Sequence, residues 1–533
     1  MATEVKRTMG KLDELIKSLP KKVAVTEYGP VEGYTINEVT NYKGIPYAAA
    51  PEGVLRWRPP QPRATWQEPQ KATRIGFVCP QDISIFPVFG QMGEDCLNLN
   101  IWAPEKSDGA CTVMVWLHGG GFSTGSGSLP PYDGSYFASL GIVVVTINYR
   151  LNALGFLAHP ELTAEYDGRA SGNYGIMDQI FALQWVKKNI RGFGGDPDNV
   201  TVFGESAGGA SVVALMSSPL TLGLFHRVIA QSPGHVPSRL RKLGESNGHL
   251  ESAEVIGLRF AEKLGLTGAK GVIDKLRSLP AEVLAEAWFK MINEDVKGAG
   301  TSGGWMLNHL IVDGHVLQSA PGKIFLAGEQ HNLPFMTGTT ADEGTLFGFL
   351  LFGNNPDSAR YHRYIERVYG ESKDKVIKHF GDSDRDDMQV SASNLLGSGF
   401  YCGARRLART MSAVQPQTYK YLFAMPPKFF LYQIPGIADW KERFKCFHAA
   451  EIPYVFHFIL LPGLEDEDRA LSDLIAGYWA RFARTGDPNG SGAPHWPRYS
   501  QKDERYLTMD NPIVLGQGLN DKQCDFIDEL EGM

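Results

Sequence analysis

Four short stretches of this chain are apolar almost without interruption: residues 113–117, 142–147, 200–203 and 333–336. Half-exposed strands alternate apolar and polar positions, whereas parallel strands covered on both faces read as continuous runs. The first three therefore predict buried strands of a parallel sheet. The fourth predicts a strand that ends in a polar turn over residues 337–344. Residues 452–461 read as a further strand-like run. Helical spacing takes over in residues 471–484, where Leu471, Leu474, Ile475, Tyr478 and Phe482 fall on one face and predict a packing helix. The strand-then-helix rhythm of the first half predicts one large α/β unit, a mostly parallel central sheet flanked by helices and carrying helical insertions.

No linker, low-complexity stretch or repeat divides the 533 residues, so a single domain is expected over residues 23–533. Residues 1–22 read as a charged N-terminal helix or extension, with Leu12, Leu15, Ile16 and Leu19 in an amphipathic pattern. That segment lacks the continuous apolar core of a signal peptide, and no run has the length of a membrane span. The protein is expected to be cytoplasmic, or secreted with its signal peptide already removed. Hydrophobic residues make up 43% of the chain, enough for a substantial core, and the net charge is −7. An acidic balance argues against nucleic acid or anionic membrane as partners.

The candidate chemistry begins at Gly204-Glu205-Ser206-Ala207-Gly208, directly after the apolar run 200–203 and before a helix-compatible stretch, 210–216. A G-x-S-x-G pentapeptide between strand and helix forms a nucleophile elbow, which holds a serine hydroxyl above the sheet edge. Upstream, the run 113–117 leads into His118-Gly119-Gly120-Gly121-Phe122, whose glycines expose backbone N–H groups of the kind an oxyanion hole requires. A serine nucleophile needs a base, and the base needs an orienting acid, in the chain order Ser, acid, His. The turn after residues 333–336 offers two adjacent carboxylates, Asp342 and Glu343, which the residues alone do not separate. Of the downstream histidines, His362 and His379 sit among charges as on a solvated helix face, and His495 lies in a Gly/Pro-rich loop. His457 falls inside the strand-like run, and His448 precedes that run on a loop. Elimination puts His448 modestly ahead as base.

Further motifs run nearly end to end: Tyr42-Lys43-Gly44-Ile45-Pro46-Tyr47-Ala48, Glu94-Asp95-Cys96-Leu97-Asn98-Leu99-Asn100, Gly172-Asn173-Tyr174-Gly175 and Thr485-Gly486-Asp487-Pro488-Asn489. With Phe203 to Gly209, these make the chain resemble the type-B carboxylesterase family, the esterase side of the carboxylesterase/cholinesterase group, as a bacterial-type general esterase. The resemblance implies an α/β-hydrolase fold with insertions around an active-site gorge. It implies a carboxylic-ester hydrolase in which Ser206 is the nucleophile, Glu343 the acid and His448 the base. Gly120, Gly121 and Ala207 would donate the oxyanion hydrogen bonds, and Glu205 would support the site electrostatically. It also implies a Cys79–Cys96 disulfide, while Cys111, Cys402, Cys446 and Cys524 show no obvious pairing and read as buried thiols.

The cholinesterase members carry in the Cys79–Cys96 loop a tryptophan whose π face binds the choline cation. Here that loop has Phe86 and Phe89 but no Trp, which speaks against a choline ester. Those phenylalanines, with Trp305 and Met306, are the expected wall of the substrate pocket. In place of the family's usual proline before Val-x-Asp-Gly, this chain reads His309-Leu310-Ile311. No Cys-x-x-Cys or His-Glu-x-x-His suggests a metal, and acyl transfer needs no cofactor. The expected partner is a small-molecule ester, and the expected state monomer or homodimer. A non-catalytic scaffold relative is disfavoured by the intact Ser206, Glu343 and His448. An amidase, carbamate hydrolase or lipase would use the same triad.

Overall fold

The computed structural model of the chain describes residues 14–83, 88–167, 170–236, 238–246, 250–268, 270–298, 309–353, 358–381, 388–428, 440–458 and 466–530. Among them the strands are β1 (Lys21–Val25), β2 (Pro30–Ile36), β3 (Val39–Pro46), β4 (Gln70–Lys71), β5 (Asn98–Pro104), β6 (Cys111–Leu117), β7 (Ile142–Ile147) and β8 (Gly195–Glu205). They continue with β9 (Arg227–Gln231), β10 (Arg241–Lys242), β11 (Ile311–Val312), β12 (Phe335–Thr340), β13 (Thr418–Phe423), β14 (Arg505–Met509) and β15 (Val514–Gln517). All but the small β10–β11 pair join one sheet, ordered β1-β2-β3-β5-β7-β6-β8-β9-β12-β13-β14-β15 with β4 on β2. From β7 across to β14 every pairing is parallel, and both flanks are antiparallel except for the short parallel pairing of β4 with β2. This is the α/β-hydrolase fold.

The continuous apolar runs are explained by two cores, one on each face. Along β6, Val113, Val115 and Leu117 enter one cluster while Met114 and Trp116 enter the other. β7 divides in the same way, Val143, Val145 and Ile147 against Ile142 and Val144. The helices that cover these faces and shape the site are α1 (Tyr174–Asn189), α2 (Ala207–Ser217), α3 (Gly344–Phe352), α4 (Met388–Val414), α5 (Asp466–Thr485) and α6 (Asp521–Leu530). α1 and α2 pack on the first face through Ile180, Leu183, Val212 and Leu215. α5 covers the second through Leu471, Ile475, Tyr478 and Phe482, four of the five residues on its expected apolar face. Among the described residues no helix is long and apolar enough to cross a membrane.

Three sequence expectations need correction. Within the run 452–461 the described residues, 452–458, are not a strand: Ile452–Val455 is a short helix with Pro453 in its first turn, where a missing N–H costs nothing, and a turn follows; residues 459–461 lie outside the described residues. Strand β12 extends through Thr340 instead of ending at Met336, because β-branched threonines suit a strand and this one pairs in parallel with β13 along its whole length, Phe335 with Thr418 through Thr340 with Phe423. Cys402 and Cys524 are bonded to each other, across 122 residues, because α4 and α6 pack together. Cys79 and Cys96 are bonded as well, leaving Cys111 and Cys446 as buried thiols.

Candidate active site

The site forms where the carboxyl ends of β6, β8, β9, β12 and β13 meet, five strands adjacent in the sheet. Ligand sites of open α/β sheets collect at such strand ends. At the end of β8 the chain turns into α2 through Ser206, whose backbone is held at φ 58° and ψ −121°, a strained conformation for a residue with a side chain. The turn is tight enough to exclude side chains on either side of it. A Cβ on Gly204 would lie 2.6 Å from the Gly208 carbonyl oxygen, and one on Gly208 only 2.0 Å from Leu117 O. The Ser206 N–H donates to Gln231 O at 3.0 Å, tying the elbow to the end of β9.

Glu343 follows β12 and caps α3, fully buried. Its Oε2 lies 2.5 Å from His448 Nδ1; its Oε1 accepts from Ser232 Oγ at 2.5 Å and from the Thr340 N–H at 2.8 Å. His448 sits on the turn after Phe447, which forms an isolated parallel β-bridge with Asp342, and its ring lies against the stacked pair Phe347 and Phe400. Its other nitrogen, Nε2, is 3.0 Å from Glu205 Oε1, off the axis of a hydrogen bond. Among the described residues Ser206 Oγ makes no hydrogen bond to the imidazole, although both line the same cavity. Contacts of this kind are often loose in an unliganded site and tighten with substrate.

Burial works against a charged His448, yet the carboxylates of Glu205 and Glu343 outweigh it and hold the imidazole well above its usual range. Burial raises Glu205, an effect the histidine partly offsets. A third carboxyl group, Glu451, lies beyond Glu205. Burial first, then the charges of Glu205 and Glu343, push it up to about 8. Its Oε1 accepts from Gln231 Nε2 at 3.0 Å, and Gln231 in turn accepts from Trp479 Nε1 at 3.1 Å.

Among the described residues the N–H groups of Gly120 and Gly121, on the loop after β6, have no acceptor. Neither does that of Ala207, at the first position of α2, where no helical carbonyl precedes it. The loop leaves His118 buried beneath it, its ring stacked on Tyr149 and its pKa lowered by burial to about 4. A cavity open to solvent rises from Ser206, walled by Val88, Leu129, Tyr132, Leu346, Phe347, Phe447, Ile452 and Pro453 among others.

Of the expected wall residues, Phe86, Trp305 and Met306 lie outside the described residues. Phe89 is exposed and absent from the described lining; its neighbour Val88 faces in. His309 is buried behind the glycine loop, 3.3 Å from Ser123 Oγ. The other histidines stay away from Glu343: His457 stacks on Tyr136 and lies 2.9 Å from Asp473, and His379 stacks on Phe526 at the surface. Glu205 is buried.

A profile of the carboxylesterase family matches residues 20–527. The chain belongs to the carboxylesterase family. This carboxylesterase is 34% identical to a fumonisin B1 esterase of Sphingopyxis macrogoltabida, over 94% of its own length and 88% of the relative's. It is also 34% identical to a para-nitrobenzyl esterase of Bacillus subtilis, over 93% and 96% of the two chains. The solved structure of a PNB esterase superposes with a TM-score of 0.79 at 32% identity, covering 95% of this chain and 99% of that one. The enzyme is accordingly a carboxylic-ester hydrolase, a serine carboxylesterase acting on small ester substrates.

Sequence reasoning passed over Ser232 and Glu451. Each left a faint signal: Gln231-Ser232 is a polar pair at the end of an apolar strand, and Glu451 follows His448 by three residues. Among the described residues of the esterase no three His, Cys, Asp or Glu side chains are grouped to hold a metal ion.

Proposed function

We propose that the carboxylesterase works through Ser206 as nucleophile, His448 as general base and Glu343 as the acid that orients it. His448 Nε2 turns from Glu205 to Ser206 as substrate enters and takes the hydroxyl proton while Oγ attacks the ester carbonyl. The N–H groups of Gly120, Gly121 and Ala207 receive the oxyanion, and Glu343 stabilises the imidazolium. The alcohol leaves with the proton from His448, and water repeats the sequence on the acyl-enzyme. No cofactor enters the cycle. One observation carries the reading: a strained serine, an imidazole seated on a buried carboxylate and Gly120 and Gly121, whose N–H groups have no acceptor among the described residues, line one cavity.

The described lining is largely apolar, with Glu205 its carboxylate, which favours uncharged acyl and alcohol groups. Relatives named for para-nitrobenzyl and fumonisin B1 esters support an ester as the bond cleaved. The enzyme acts as a monomer or homodimer, without nucleic acid, and its two disulfides suit an oxidising compartment.

The test is hydrolysis of p-nitrophenyl acetate, butyrate, octanoate and palmitate by wild type and Ser206→Ala. Turnover of the short and medium esters should fall on the order of 10⁵-fold in the variant. Preference for palmitate would make the enzyme a lipase, and turnover that survives the substitution would remove Ser206 from the mechanism.

A further inference from the structure

Tyr401 stands behind Glu343, on α4, where no step of the cycle above draws on it. Its hydroxyl is inserted into the turn that carries the carboxylate. The O–H donates to the Ala341 carbonyl at 2.7 Å, and the oxygen accepts the Glu343 N–H at 3.1 Å. Glu343 has helical backbone angles at the start of α3, where the first N–H groups have no helical acceptor. The phenol therefore satisfies an orphan donor and closes the turn in one contact. The ring itself is buried.

Two glycines make room for this reach. A Cβ on Gly344 would lie 1.8 Å from Ser393 O, so α3 and α4 meet backbone to backbone. A Cβ on Gly397 would lie 3.0 Å from Tyr401 Cε2 and 3.4 Å from its hydroxyl, so the ring occupies the space that side chain would take. The far side of α4 is anchored. Cys402, the next residue, is bonded to Cys524 of α6; Arg405 pairs with Glu504 and Asp525, and Arg406 with Asp528. A brace fixed at both ends can hold a turn to tenths of an ångström, which a surface tyrosine could not.

We propose that Tyr401 is a positioning residue for the acid: it fixes the backbone from which the Glu343 carboxylate reaches His448 Nδ1. Ser232 and the Thr340 N–H hold the carboxylate itself, and Tyr401 holds its base. The inference rests on the reading of Glu343 as the acid. A carboxylate that wanders stabilises the imidazolium less, so the histidine pKa falls and the base stays neutral to lower pH.

The experiment is Tyr401→Phe, alone and combined with Glu343→Gln. In the single variant kcat should drop about five- to tenfold with KM changed by less than about twofold. The acid limb of kcat/KM should move to lower pH, and the downfield proton resonance of His448 Nδ1 should move upfield. In the Glu343→Gln background the same substitution should change nothing further, because there is no carboxylate left to aim. A folded Tyr401→Phe enzyme with wild-type kcat, acid limb and resonance overturns the proposal, as does an equal loss in both backgrounds. Should that variant not fold, Gly397→Ala keeps the hydroxyl but crowds its ring, and it must move the same resonance; an unmoved resonance overturns the proposal. The resonance needs no substrate. Wild-type enzyme without serine-dependent ester turnover would therefore sink the catalytic reading while the resonance still decides the role of Tyr401.

Discussion

Two carboxyl groups, those of Glu205 and Glu343, are buried against one imidazole, and a third, that of Glu451, is buried within reach of their charges. Three charges in so small a volume would repel strongly, and Glu451 escapes by remaining protonated at neutral pH. Glu205 and Glu343 then face opposite nitrogens of His448. In the proposed cycle this arrangement favours the imidazolium formed during acyl transfer, at the cost of a base that is protonated more readily in the resting enzyme. Glu205→Gln separates the two effects. Removing that charge lowers the His448 pKa, so the acid limb of kcat/KM for p-nitrophenyl acetate should shift to lower pH. The plateau should fall, because the imidazolium loses one of its two stabilising charges. A limb that stays in place or rises would show that Glu205 does not act on His448. The adjacency of Glu205 to Ser206 was plain from the sequence, but not its approach to the histidine.

Between elements, Asp342 joins the acid turn to the histidine loop. Its N–H donates to Cys446 O at 3.0 Å, and its Oδ2 accepts the Cys446 N–H at 3.2 Å, two residues before His448. Burial raises its pKa. Asp342→Asn, which keeps an acceptor oxygen, should leave kcat within about twofold of wild type, whereas Asp342→Ala should cost about 1 kcal/mol of stability. Thermal melts and p-nitrophenyl butyrate turnover check both. If Asp342→Asn were as damaging as Glu343→Gln, the acid assignment would move to Asp342. The elements themselves were legible to different degrees. The buried strands β6, β7 and β8 were visible because both their faces are covered. Residues 452–461 read as a strand because a short apolar run has no period that distinguishes a strand from a buried turn of helix; Pro453 is the residue that favours the helix start.

Over the whole molecule, the two disulfides act on very different lengths of chain. Cys79–Cys96 closes a loop of separation 17, whereas Cys402–Cys524 spans 122 residues and pins the C-terminal helix α6 to α4. Titration of denatured, unreduced protein should find two free thiols among the six cysteines, Cys111 and Cys446. Four would remove one bridge and six both. Native protein treated with reductant should melt earlier, since such cross-links typically contribute about 2–5 kcal/mol.

The sequence by itself determined what neighbouring residues can encode. The nucleophile elbow and the glycine loop are each five contiguous residues, whose backbone geometry follows from small side chains at the end of a strand. Their family motifs carried the fold with them. Tertiary structure alone decided which groups face one another. His448 meets Glu343 across 105 residues, Ser232 meets Glu343 across 111, and Gln231 meets Glu451 across 220. The partnership of Cys402 with Cys524 and the reach of Tyr401 into the acid turn belong to the same class. Local propensity carries no information about such separations. They are set by parallel crossovers, which return the chain to the same edge of the sheet after each strand and so bring five distant strand ends together.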